Sequence, residues 1–231
     1  MAYKQLEVPG VGTVKLYKRR DARALKITIA HDNHIRVTLP MWLPYRAGLE
    51  FVKIKQDWIA THRRTQNVLL EGQLIGKSHR LRFVAAEYAP TQSTRVTTQE
   101  IRIMLAPNTQ SSSPGAQQLA KQASIKALRQ EAEALLPIRL KQLATQYGFE
   151  YKSVSIKQLK ARWGSCSHQQ HISLSLFLML LPWPLIDYVL LHELTHTKAL
   201  NHGKDFWDIL LRCQPKAKEL RRELRAHQPS L

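Results

Sequence analysis

Residues 190–207 read LLHELTHTKALNHGKDFW and place His192, Glu193, His196 and His202 within eleven positions. On a helix, residues four apart lie on one face, so His192 and His196 direct their imidazoles toward one point. Glu193 sits about 100° further round the helix. That position suits a base handling a proton beside a bound ion better than it suits a third ligand. A catalytic zinc site takes three protein ligands and leaves a fourth position open. His202 is the candidate third ligand. A helix ending near Leu200, followed by a turn at Asn201, returns it to the same point. Asn accepts the left-handed conformation that such turns often use.

The pattern is specific. With 10 His and 11 Glu among 231 residues, H-E-x-x-H arises by chance roughly 0.02 times in a chain of this composition. A metal-free cluster of three imidazoles would need several hydrogen-bond partners in a mostly apolar segment. The expectation is therefore a zinc centre with His192, His196 and His202 as metal ligands and Glu193 as general base.

The flanking sequence sets this helix in a scaffold. Residues 174–191, LSLFLMLLPWPLIDYVLL, are cut by two prolines and Asp187, which leaves them short of a membrane span. They read as a buried strand and then a buried helix, with Pro184 in the first turn and Asp187 as a cap. Before them, 151–159 and 171–180 are strand-like, and 160–170, KARWGSCSHQQ, is a turn-rich connection. Within it Arg162 is a candidate for stabilising negative charge. Trp163 reads as a core anchor and Cys166 as a small buried or semi-buried thiol. His168 and His171 read as exposed turn residues. Asp205 and Asp208 are candidates to orient a ligand histidine, and Phe206 and Trp207 to pack beneath the metal loop.

Further upstream, ALKITIA and HIRVTLP read as strands joined by a turn at HDNH, residues 31–34. Residues 45–64 have helical apolar spacing, and 69–88 and 94–105 read as more strands. Residues 117–147 are helical, with Pro137 expected to kink or split the stretch and Gly148 to cap it. The fold class is α+β, with antiparallel sheet dominating the first half. The expected division is a β-rich N-terminal subdomain over 1–106, an exposed linker over 107–118 and a metal-binding catalytic domain over 119–231. No internal repeat is visible.

The chain carries 35 Lys and Arg against 17 acids, a net charge of +18 shared by both halves. Such a surface attracts polyanions, nucleotides and nucleic acid among them, or simply keeps the protein solvated. No apolar segment follows the N-terminus as a secretion signal would require. With two cysteines expected free, the setting is expected to be the cytoplasm.

Two segments carry a family resemblance: RWGSCS at 162–167 and DYVLLHELTHTKALNHGKDFW at 187–207. KITIAHDNHIRVTLP at 26–40 and KQDWIATH at 55–62 add a looser match. The combination resembles the YgjP-like metallopeptidase family, relatives of the SprT and WLM zincins. The ligand spacing also matches that of metzincin peptidases, although Ala199 stands where their pattern has Gly. The resemblance implies a zincin-like catalytic half with an active-site helix packed on a small sheet. It also implies zinc on His192, His196 and His202, Glu193 as base, and a protein or peptide substrate. The insertion around NTQSSSPGAQQ at 108–118 and the high basicity depart from that family.

The expected activity is zinc-dependent hydrolysis by a metal-activated water, most simply of peptide bonds. A metal-dependent phosphohydrolase acting on a nucleotide is the alternative, since the same chemistry serves a phosphoryl centre and +18 favours anions. No Gly-rich phosphate loop supports it. A nucleic-acid-associated module is a third reading, with no zinc finger or helix-turn-helix signature behind it.

Overall fold

The computed structural model describes residues 3–29, 34–62, 68–85 and 93–231. The chain forms two compact units, Met1–Asn67 and Val68–Leu231. The turn expected at 31–34 lies outside the described residues except for His34.

The first unit is a sheet of β1 (Tyr3–Val8), β2 (Gly12–Arg19), β3 (Lys26–Ile29) and β4 (Ile35–Pro40), with α1 (Tyr45–Ile54) and α2 (Gln56–His62). Strand order is β1-β2-β4-β3. Alternation assigns the two faces. Val14 and Leu16 of β2 and Ile35, Val37 and Leu39 of β4 are buried with Val52 of α1 and Ile59 of α2. The residues between them point the other way.

The second unit begins with β5 (Leu74–Ile75), β6 (His79–Ala85), β7 (Ser93–Val96) and β8 (Glu100–Leu105), in the order β5-β6-β8-β7. Both four-stranded sheets therefore carry a parallel pair at the centre, β2 with β4 and β6 with β8, and antiparallel pairs at the edges. Antiparallel pairing predominates, as expected, and the central parallel pairs are an addition that strand patterning does not reveal. The two sheets also share a topology that the sequence hides, because sheet topology does not require matching residues.

Helix α3 (Pro114–Tyr147) runs 34 residues through Pro137 without a break. The lost hydrogen bond is tolerated inside a helix whose buried face carries Ala127, Leu128, Leu136 and Leu140. The Ser113 hydroxyl accepts from the Ala116 N–H at its start, and Gly148 caps its end at φ 65°, donating to Ala144 O. The helix thus begins inside the segment expected to be a linker. Leu81, Ile101, Ile103 and Leu105 share one core with its Ala120, Ala127 and Leu128. The strands of 74–105 therefore belong to the same unit as α3, whereas the sequence grouped them with the N-terminal strands.

Two polar anchors fasten α3. Glu131 is buried and accepts from the backbone N–H groups of Lys77 (2.7 Å) and Ser78 (2.9 Å), the Ser78 hydroxyl (2.7 Å) and His79 Nδ1 (2.7 Å). Gly76 sits beneath it at φ 73°, where a Cβ would lie 2.1 Å from Oε2. Further along, Arg139 makes a two-pronged bond to Asp187, at 2.8 and 2.7 Å. Asp187 is therefore an ion-pair partner and not the cap expected from sequence.

After α3 come β9 (Ser153–Lys157), β10 (Gly164–Cys166) and β11 (His171–Ser175), ordered β10-β11-β9. The connection at 160–170 thus contains an edge strand. A short 3-10 helix, Leu176–Leu180, interrupts the strand expected through 180, where the Ser175 hydroxyl takes the Phe177 N–H. Helices α4 (Trp183–Thr195), α5 (Lys204–Cys213) and α6 (Ala217–Leu224) complete the unit.

Candidate metal centre

Helix α4 opens with Pro184 in its first turn and buries nearly all of its surface. It stops at Thr195, with His196 as cap residue. The stop comes earlier than the Leu200 expected from sequence. The cause is local: Thr195 and Thr197 hydroxyls bond back to Leu191 O and Leu194 O, and the N–H groups of Thr197 and Lys198 tighten to carbonyls three residues back. The chain then turns and returns His202 to the helix. Asn201 does this without a left-handed backbone, since Asn108 and Gln170 are the non-glycine residues with positive φ among those described.

The three histidines converge. One nitrogen from each of His192, His196 and His202 falls within 4.8 Å of the others. His192 Nε2 and His202 Nε2 are 3.0 Å apart. Two nitrogens held by one tetrahedral zinc ion lie roughly 3.3 Å apart, from bonds of 2.0–2.1 Å. His196 Nδ1 donates to Ala199 O at 3.1 Å, which turns its other nitrogen toward the cluster and fixes its tautomer. A backbone carbonyl does this orienting, and no hydrogen bond from Asp205 or Asp208 to the cluster is found among the described residues. Phe206 is fully buried, with its ring centre 4.6–4.9 Å from all three imidazoles, as a floor for the cluster.

Burial pushes His192 down to about 3, helped by His196, His202 and Arg221, and burial also lowers His196. Neutral imidazoles are the form that binds a metal. His192 Nδ1 and Glu193 Oε2 are buried without a hydrogen-bond partner among the described residues. This donor set fits a metal: convergent, with His192 and His196 kept neutral by burial, and backed by an apolar ring.

Glu193 is 4% exposed. Burial raises it to about 8, against the pull of Arg162. Its wall is β10. A Cβ on Gly164 would sit 2.7 Å from Oε1, so glycine is needed for strand and carboxylate to meet. Cys166, on the same side of β10 two residues on, feels Glu193 too: burial first, then that carboxylate, pushes the thiol up. Both cysteines are free. Trp163 packs at the core edge, and His168 and His171 are exposed. His171 lies within β11 and pairs with Ser153 at 2.7 Å. Sequence reasoning did not foresee the close approach of Gly164 to Glu193, although a glycine inside a strand is a signal of one. It also missed Tyr188, one turn before His192 and 5.9 Å from it between ring centres.

A family model described as YgjP-like, metallopeptidase domain, matches residues 23–227. The chain belongs to the YgjP-like metallopeptidase family. Membership makes it one of a family of metal-dependent peptidases, and the histidine cluster is the group among the described residues that can hold the metal. Solved structures resemble part of the chain. The metallopeptidase zymogen of Pyrococcus abyssi abylysin is 26% identical over 40% of this chain and 94% of that one, with a TM-score of 0.37. The zymogen of Methanocaldococcus jannaschii jannalysin is 21% identical over 39% and 94%, with a TM-score of 0.36. No curated protein matches the chain. No helix among the described residues is long and apolar enough to cross a membrane.

Proposed function

We propose that this chain is a zinc-dependent peptidase in which His192, His196 and His202 hold the ion and Glu193 is the general base. The observation that carries the reading is the convergence of three imidazole nitrogens within 4.8 Å beside a buried, unpartnered carboxylate on the same helical turn. Bound zinc would supply Lewis acidity to the scissile carbonyl and acidify a water.

The chain's own residues do the rest. Glu193 accepts the proton of the attacking water at its carboxylate and returns it to the leaving nitrogen. Burial makes that carboxylate proton-avid, and Gly164 holds it in place. Arg162 is the cation that acts on Glu193, placed to steady charge that develops on the substrate oxygen. Phe206 keeps water from the back of the cluster.

The test is elemental analysis of protein purified without chelator, with a screen of peptides and nucleoside triphosphates on wild type and Glu193→Gln. The reading expects one zinc per chain in both proteins and peptide cleavage lower by about 10²–10⁴-fold in the variant. Absence of stoichiometric zinc, or full cleavage by the variant, would overturn it. Hydrolysis of triphosphates alone would move the chemistry to a phosphoryl centre.

A further inference from the structure

The outer face of the first sheet carries a lattice that the peptidase reading does not use. Register places Tyr3, Tyr17, Thr38 and Lys26 in one row across β1, β2, β4 and β3. The adjacent row is Gln5, Lys15, Arg36 and Thr28. Neither row holds an acid. Among the described residues, Glu7 in the next row is engaged by the Thr13 hydroxyl and Asp21 by Arg19.

The aromatic groups are pre-arranged. Tyr3 and Tyr17 stack with ring centres 5.3 Å apart and planes 29° from parallel. The Arg36 guanidinium lies 4.3 Å over the Tyr17 ring, and Lys15 Nζ lies 5.9 Å over Tyr3. Tyr3 is 51% exposed, and Gln5, Lys26 and Thr28 are exposed as well. The apolar side chains of the same strands all point to the opposite face, against α1. The first 67 residues hold 13 Lys and Arg against five acids.

We propose that this sheet face binds single-stranded nucleic acid. Charge complementarity selects a polyanion. The aromatic and guanidinium planes select one that carries bases, because bases stack on Tyr rings and Arg planes. A four-stranded face with two such rings accommodates two or three bases. Lys15, Lys26 and Arg36 then meet the phosphates. An acidic protein would use the charges and leave the tyrosine pair without a role.

The test is fluorescence anisotropy of the full chain with a labelled single-stranded oligonucleotide across salt concentrations. Inorganic polyphosphate, which has charge and no bases, is the competitor. Tyr3→Thr with Tyr17→Thr should weaken oligonucleotide binding about tenfold or more and leave polyphosphate binding unchanged. Thr keeps strand propensity, and the Tyr→Phe pair, which keeps the rings, should bind as wild type. Unfolding midpoints check that each variant folds. Lys15→Gln, Lys26→Gln and Arg36→Gln together should flatten the salt dependence by about two units of slope. Removing the same charge from exposed Lys121, Lys126 and Lys141 on α3 should change affinity less than twofold. Equal losses in the two triple variants, or tyrosine variants that bind normally, would overturn the proposal and leave diffuse electrostatics. So would tighter binding of an acidic peptide than of the oligonucleotide.

Discussion

Gly164 and Glu193 meet backbone to carboxylate: a methyl group on Gly164 would sit 2.7 Å from Oε1 and 2.8 Å from Cγ of the glutamate. Both elements are fixed, β10 by its pairing with β11 and α4 by a helix buried almost all round. The strain of any added side chain therefore falls on the carboxylate.

Gly164→Ala should fold and keep its metal yet lose about 100-fold in kcat/KM, the scale expected for a displacement of about 1 Å at a reacting group. Steady-state kinetics beside elemental analysis would check this. A variant with normal kcat would mean that Glu193 has a second productive position.

Zinc should stabilise the wild type through the three imidazoles. At 100 times Kd the gain is about 2.7 kcal/mol, or roughly 5–10 °C in midpoint for a chain of this size. His202→Ala should abolish that gain while barely moving the metal-free midpoint, since His202 is exposed and reached by a turn. Calorimetry with and without added zinc separates the two effects.

Glu193 should cost the metal-free protein stability as pH rises. Its carboxyl titrates near 4.5 when unfolded and is raised to about 8 by burial. Between those values the folded state holds a proton that the unfolded state has released. Stability then falls with rising pH, by about 1.4 kcal/mol per unit from this group alone. Metal-free Glu193→Gln should match wild type below pH 4.5 and exceed it increasingly toward pH 8. Parallel denaturation curves for the two proteins would contradict this.

Glu131 has the opposite sign. Burial alone would raise it, but its bonds to Ser78, Lys77 and His79 outweigh burial and hold the carboxyl below its ordinary value. Its contribution is full above about pH 4.5 and disappears as pH falls through the folded value. Glu131→Ala should cost about 3–5 kcal/mol at neutral pH, the range for breaking a buried pair, and should show a shallower acid loss than wild type. Chemical denaturation from pH 3 to 7 measures both.

The convergence of the histidines was legible because helix geometry is local: His192, Glu193 and His196 follow from a spacing of three and four. Phe206 beneath them was legible as a large apolar residue close in sequence to His202. The orienting group was not, because Ala199 contributes a carbonyl and sequence shows side chains only. The contact of Gly164 with Glu193 was not, because the two are 29 positions apart. The strands of 74–105 were grouped with the wrong neighbour because composition marks exposed segments, while shared cores such as Leu81 with Ala127 depend on distant pairing. Glu131 did leave a trace: of the two acids of α3, Glu131 and Glu133, it is the one in phase with the buried stripe of Ala120, Ala123 and Ala127.

Glu131 and Arg139 sit on one helix, eight positions apart, and grip different parts of the second unit: the turn at 77–79 and, through Asp187, the helix that bears His192. The stretch between them acts as a spacer of set phase as well as set length. One inserted residue would rotate Arg139 by about 100° and advance it about 1.5 Å relative to Glu131. One tether or the other would be lost. Point changes on the exposed side of that stretch carry no such penalty. Extra residues placed ahead of Ser113, where the polar segment of this chain lies, leave the phase of both tethers untouched. Changes of length in that segment can thus coexist with an intact helix around His192.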